Sequence, residues 1–188
     1  MIQKKIILGS QSPRRKQLLQ ELGFEFEILI KDIDESFPAN IPTEKVAEYI
    51  ANKKAVAYEL DLTEDNLIIT ADTVVILRDE ILGKPKSFAE AREMLSSLSN
   101  GFHKVVSGVC ITSLEKMISF SDLSEVFISE ITEKEMDYYI ENYSPLDKAG
   151  AYGIQEWFGH AKVAQIKGSY TNIMGLPTAK LYDQLTNF

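Results

Sequence analysis

The chain has 188 residues, 45% hydrophobic and 26% charged, enough for one domain with a sizeable core. A net charge of −8 and a pI of about 4.9 exclude the basic face of a general nucleic-acid binder, but not a small anion held by local cations. The lone Cys110 excludes an internal disulfide, and no stretch approaches the roughly 20 apolar residues of a membrane helix.

In chain order, residues 4–9 predict a short buried strand. Ser12 then reads as an N-cap with Pro13 as the first helical residue, and Gly23 ends that helix. "FEFEILI" alternates and predicts a strand, followed by a polar loop with two prolines, "KDIDESFPANIP". Thr43 opens a helix expected to reach about Leu60, and "LIITADTVVIL" (67–77) predicts a central strand. Ser87 with Glu90, and Thr132 with Glu135, form capping-box patterns ahead of two helices. Strands are expected over 102–112 and 117–130. The glycine-punctuated stretch 146–177 is expected to hold loops and one or two strands, before a last helix from Thr178 to Leu185. This interleaving predicts an α/β or α+β class with a mixed sheet over residues 1–188, taken as one domain with two lobes as a variant. Cys110, in "VVSGVCIT", reads as an inert core residue. "MIQKKIILGS" is too short in its apolar part for a signal peptide, so the expectation is a cytoplasmic protein away from membranes.

Several residues break these patterns in ways that point to chemistry. In "GSQSPRR" two arginines stand at a helix N-terminus, where each cation is disfavoured by roughly 0.3–1 kcal/mol. Arg14 and Arg15 make sense there if an anion such as phosphate pairs with them beside Ser10 and Ser12; the alternative is two solvated side chains. Asp72 interrupts an apolar strand, where a carboxylate is costly unless paired or metal-bound; the alternative is a strand-end aspartate bonded to backbone. Asp34 and Glu35 put further carboxylates on a loop, able to share a Mg²⁺ or Mn²⁺ ion with Asp72 if that loop folds near it. Lys54 lies near the apolar face of its helix, and Lys84 sits in the turn "LGKPKS". That turn is not a phosphate-binding Walker loop, because Arg78 stands where the first glycine belongs and Pro85 takes the Ser/Thr place. His103 and His160 lack metal-ligand spacing, and Gln155 offers an amide suited to a base edge or to a turn.

Taken together, "SQSPRR", "IDE", "KKA", "TADTVV", "GKP", "LDKAGAYGIQ" and "GSYTNIMGLP" resemble the Maf family of nucleoside triphosphate pyrophosphatases, in the family's order and over nearly the whole chain. "KAGAYGIQ" and the Thr after Asp72 resemble its dTTP/UTP branch. The resemblance implies an elongated mixed sheet flanked by helices around a central cleft, similar to inosine triphosphate pyrophosphatases, and a homodimer. It implies hydrolysis of dTTP and UTP to the monophosphate and pyrophosphate with a divalent metal, Mg²⁺ or Mn²⁺. Asp72 would accept the proton, Glu35 and Asp72 would hold the metal, and Ser10, Arg14, Arg15, Lys54 and Lys84 would grip the triphosphate. Arg14, Thr73 and Gln155 fall where the family discriminates bases. Relatives usually carry a glycine after Gln155, where this chain has Glu156 and Trp157. The competing expectations are a nucleotide-sensing regulator of cell division and septum formation without turnover, and a nucleotide-binding transferase.

Overall fold

Strand β3 (Asn66–Leu77) is the axis of the molecule, and its neighbours change along its length. The computed structural model describes residues 4–188; the first three residues of the N-terminal stretch considered above lie outside them. Seven strands among the described residues form one mixed sheet in the order β2-β1-β3-β5-β6-β7, with β4 added to β3. Here β1 is Lys5–Leu8, β2 Phe26–Ile28, β4 Glu80–Leu82, β5 Gly101–Thr112, β6 Met117–Ile128 and β7 Val163–Lys167. Strand β1 runs parallel to β2 and β3, whereas all other pairs are antiparallel.

One edge of β3 is covered by β5 from Ile68 to Ile76. The other edge is shared: β1 pairs with Asn66–Ile69 and β4 with Val75–Leu77. Residues 70–74 therefore have no strand neighbour on that side. Such a break beside the C-terminal end of a parallel strand is where α/β sheets place ligands.

Helices cover both faces. Helix α2 (Thr43–Val56) packs on β3 and β5, burying Val46, Ala47 and Ile50 against Val74, Ile76 and Val106. The opposite face holds the main core, where Leu18 and Leu19 of α1 (Pro13–Glu21) and Leu95 and Leu98 of α3 (Phe88–Leu98) meet β1, β3 and β5. Helix α4 (Glu133–Asn142) and α7 (Thr178–Thr186) add Tyr139, Leu181 and Leu185 to it. Each such fully buried side chain contributes about 2 kcal/mol.

The local signals act as their chemistry demands. The Ser12 side chain accepts from the Arg15 N–H, and Gly23 leaves α1 at φ 81°. Thr132 and Glu135 make a complete capping box; at Ser87 only half forms, because Glu90 accepts from the Lys86 N–H instead. Cys110 is buried, its thiol pushed up to about 12 by burial and the Glu48 charge, which makes it unreactive.

Other expectations shift. Helix α2 stops at Val56, and a short 3₁₀ turn at Glu59–Asp61 follows Tyr58, whose ring is buried. Strand β2 keeps only three of the seven alternating residues, since it lies at the sheet edge. The stretch 146–177 contains one strand, two 3₁₀ turns and two short helices not foreseen, α5 (Trp157–Lys162) and α6 (Tyr170–Met174). Helices of five or six residues carry too few turns for a periodic signal and exist by tertiary packing.

Candidate active site

A cleft of about 860 Å³ opens at the unpaired edge of β3. Its lining includes Ser10, Arg14, Arg15, Glu35, Lys54, Asp72, Thr73 and Lys84, from β1–α1, the loop before α2, α2, β3 and the turn after β4. Gln155 is exposed and is not part of the lining, although its neighbour Ile154 is. Six cations (Arg14, Arg15, Lys31, Lys54, Lys84 and Lys148) face four carboxylates (Asp32, Glu35, Asp72 and Asp147) there. An acidic chain thus carries a locally positive cleft.

Successive residues of a strand point to opposite faces, so Asp72 and Thr73 reach the cleft from opposite sides of the open edge. Asp72 stands on the α2 face, opposite Gly108 of β5. Gly108 has no side chain because α2 lies directly on it: a Cβ there would sit 2.3 Å from the Glu48 nitrogen. This close approach brings Lys54 to Asp72, Nζ to Oδ1 at 2.8 Å, and the same nitrogen meets Glu35 Oε1 at 2.6 Å. The Lys54 and Asp72 side chains are only 11% and 13% exposed, so this charge pairing is poorly screened.

Glu35 is delivered by its neighbours. Lys53 holds Asp34 Oδ2 at 2.9 Å and the Ser36 carbonyl at 2.9 Å, and Asp34 accepts from the Ser36 N–H at 3.0 Å. Consecutive lysines thereby hold consecutive acids. Hydrogen bonds from Ser36 and Lys53 keep the Asp34 carboxyl well below the usual range. Burial opposes the charge on Glu35, but the Lys54 hydrogen bond and the charges of Lys54, Lys84 and Arg15 outweigh it and lower its pKa. Lys54 contacts this carboxylate directly, and Lys84 and Arg15 line the same cleft.

The two arginines do different things. Arg15 donates from Nε to the Gly175 carbonyl (2.9 Å), from Nη1 to the Ala71 carbonyl (2.8 Å) and Ser10 Oγ (3.3 Å), and from Nη2 to Thr73 Oγ1 (3.1 Å). The Gly9 N–H serves the Ile69 carbonyl, so Arg15 takes over the next edge carbonyl where β1 has ended. Most of its five N–H groups are therefore committed to the frame. Burial lowers its pKa against the opposing charge of Asp72, yet a guanidinium remains charged. Arg14 makes only a loose 3.9 Å pair with Asp147 and is the arginine available to a ligand. Lys84 is exposed at the rim and, among the described residues, forms no ion pair within 4.0 Å.

Ser10 shows a further polarity. Its oxygen accepts from the Ser12 N–H (3.2 Å) and from Arg15 Nη1 (3.3 Å), so both lone pairs are engaged. Its O–H is left to donate into the cleft, as an anion requires.

Residues without an individual role in the sequence reading complete the walls. Lys148, 5% exposed, donates to the Ser144 carbonyl (2.5 Å) and Asp147 Oδ1 (2.7 Å) and pairs with Glu156 Oε1 (3.0 Å). Glu156 also accepts from the Tyr139 hydroxyl at 2.5 Å, which accepts from the Gly153 N–H at 3.0 Å. Glu156 therefore braces the cleft wall from behind. The sequence signals for these were a lysine inside the "LDKAGAYG" segment and an acid directly after Gln155.

Among the described residues no cluster of three or more His, Cys, Asp or Glu has the arrangement of a metal site. Glu35 and Asp72 are nonetheless two hard oxygen donors around one point, now shared by Lys54. A Mg²⁺ ion needs no more than one or two carboxylates when substrate phosphates and water complete its shell, so the donor set fits.

The family model described as Maf-like protein matches residues 5–188. The chain belongs to the Maf family. Its curated relatives include proteins named dTTP/UTP pyrophosphatase from Parabacteroides distasonis (47% identity, covering 98% of this chain and 96% of the relative), Porphyromonas gingivalis (48%, 98% and 94%) and Flavobacterium johnsoniae (44%, 97% and 94%). Among solved structures, the Ham1 protein of Staphylococcus aureus shares the fold, with a TM-score of 0.53 at 15% identity over 96% of this chain and 100% of that one. The mixed α/β class expected of a Maf chain is thus borne out by the sheet and by this likeness.

Proposed function

We propose that this chain is a nucleoside triphosphate pyrophosphatase that hydrolyses dTTP and UTP to the monophosphate and pyrophosphate. The observation that carries this reading is the meeting of Asp72, Glu35 and Lys54 with Ser10, Arg14 and Lys84 in one cleft. The substrate class comes from the names of relatives at 44–48% identity over nearly the full chain.

A triphosphate carries about four negative charges, so its cleavage is mostly positioning and charge stabilisation. Ser10 donates to a phosphate oxygen, while Arg14 and Lys84 hold the remaining phosphate charge at the mouth. Lys54 orients Asp72 through Oδ1, leaving Oδ2 to take the proton of a water attacking the α-phosphorus. The bond from the α-phosphorus to its bridging oxygen breaks, and Arg14 and Lys84 stabilise the departing pyrophosphate. A Mg²⁺ or Mn²⁺ ion held by Glu35 and Asp72 would supply charge neutralisation and a more acidic water. Arg15 holds Ala71, Ser10, Thr73 and Gly175 in register. Thr73 would face the nucleoside part, with Gln155 exposed beyond Ile154, outside the cleft lining.

The reading extends to a cytoplasmic homodimer. Among the described residues no helix is long and apolar enough to cross a membrane. The test is a panel of canonical and modified triphosphates, with and without Mg²⁺ or Mn²⁺, assayed for monophosphate and pyrophosphate. Metal-dependent release of both from dTTP and UTP is expected. No activity on any member would favour a regulatory nucleotide-binding role.

A further inference from the structure

Residues 29–42 form no helix or strand, yet their first half is attached at two places to the end of α2 and the residues after it. Leu29 and Ile33 pack against the buried cluster of Ile7, Tyr58 and Ile68. The Tyr58 hydroxyl also donates to the Leu29 carbonyl (2.9 Å) and accepts from the Lys31 N–H (3.2 Å). Lys53, in the last turn of α2, makes the second attachment. Its Nζ donates to Asp34 Oδ2 (2.9 Å), the Ser36 carbonyl (2.9 Å) and Ser36 Oγ (3.3 Å), which uses all three ammonium protons. Asp34 Oδ1 accepts in turn from the Ser36 N–H at 3.0 Å. The residues on either side of Glu35 are thereby tied to Lys53, while Glu35 itself meets Lys54.

The two lysines hold this loop in different ways. Lys54 holds it through the Glu35 carboxylate, beside Asp72. An incoming divalent cation repels that ammonium and competes for the same carboxylates, so this hold weakens as the ion binds. Lys53 touches only Asp34 and Ser36, and its contacts survive the exchange. Without them the ion itself would have to order the loop, and the entropy of ordering would be lost from its affinity.

We propose that Lys53 is a positioning residue: it holds residues 34–36 against α2, so that Glu35 stays at the cleft when a divalent cation replaces Lys54 as its partner. This rests on the reading of Glu35 and Asp72 as metal donors, and adds the group that keeps Glu35 in place. The sign of one effect separates positioning from simple charge. Removing a cation near the site would, by charge alone, tighten the binding of another cation. Loss of positioning weakens it.

The experiment titrates Mn²⁺ alone into the nucleotide-free protein and reads free Mn²⁺ by electron paramagnetic resonance. It compares the wild type with Lys53→Met, Asp34→Ala, the double variant of these two, and Glu35→Gln. Unfolded protein lowers the number of ions bound and leaves the Kd of the folded sites unchanged. Asp34 is 72% exposed, so Lys53→Met is expected to raise Kd about fivefold, the upper end for an exposed ion pair. In the Asp34→Ala background the attachment is already reduced to Ser36, and the same substitution should raise Kd much less. An unchanged or lower Kd in Lys53→Met, or the full rise persisting in the Asp34→Ala background, overturns the inference while leaving the metal reading intact. A wild type that binds no Mn²⁺, or binding that Glu35→Gln leaves at wild-type strength, overturns the metal reading and the inference with it. Weaker binding in both Lys53→Met and Glu35→Gln, in a protein that hydrolyses neither dTTP nor UTP, upholds the inference and overturns the pyrophosphatase reading.

Discussion

Lys54 Nζ lies 2.8 Å from Asp72 Oδ1, a bond across the cleft between α2 and the central strand. The same nitrogen ties in Glu35, so one ammonium holds two carboxylates that otherwise repel. Lys54→Met removes that charge and leaves the acids unbalanced. The variant is expected to lose at least about 100-fold in kcat, consistent with misplacement of a general base. It should also lose about 2 kcal/mol of stability in urea unfolding, below the full value for a buried pair because Glu35 is half exposed.

Arg15→Lys keeps the charge and loses the fork. A lysine cannot reach the Gly175 and Ala71 carbonyls and the Ser10 and Thr73 hydroxyls together. The expected outcome is a stability loss of about 2 kcal/mol, because buried acceptors at Ala71, Gly175 and Thr73 lose their donor. Urea midpoints of the two proteins check it.

Gly108→Ala tests how α2 is seated. The added methyl meets backbone atoms of Ala47 and Glu48 at 2.3–2.4 Å, which cannot swing aside as a side chain would. Helix α2 must lift, and Lys54 with it. A loss of about 3 kcal/mol and a fall in kcat larger than any change in KM are expected.

His103 supplies a pH signature. It is 3% exposed, its Nε2 bonds the Tyr152 hydroxyl at 2.7 Å, and burial lowers its pKa from 6.5 to about 4. Its folded pKa is depressed, so the unfolded chain binds the proton first as pH falls. Stability is therefore intact above pH 6.5 and declines toward pH 4. Between pH 6.5 and 5 the decline should amount to about 2 kcal/mol. His103→Gln should flatten that slope, as read from unfolding curves at each pH.

Much of this was legible in the chain because it rests on local chemistry. Ser12, Thr132 and Gly23 mark helix ends through bonds within a few residues, and Asp72 stands out because a carboxylate conflicts with an apolar strand. The pairing of Lys53 and Lys54 with Asp34 and Glu35 depends on how the loop folds back, which no spacing reveals. The open edge of β3 arises from β1 stopping at Leu8 and β4 joining only at Val75, a property of the sheet alone. That edge engages Arg15, although it looks equivalent to Arg14 in sequence.

Every step of the proposed hydrolysis depends on Asp72 taking the proton of the attacking water. Turnover of UTP and its equilibrium binding should be measured on Asp72→Asn beside the wild type. A loss of about 1,000-fold in kcat with Kd within a few-fold of wild type is expected, since the amide keeps the shape but cannot act as the base. Turnover close to wild type in that variant would contradict it.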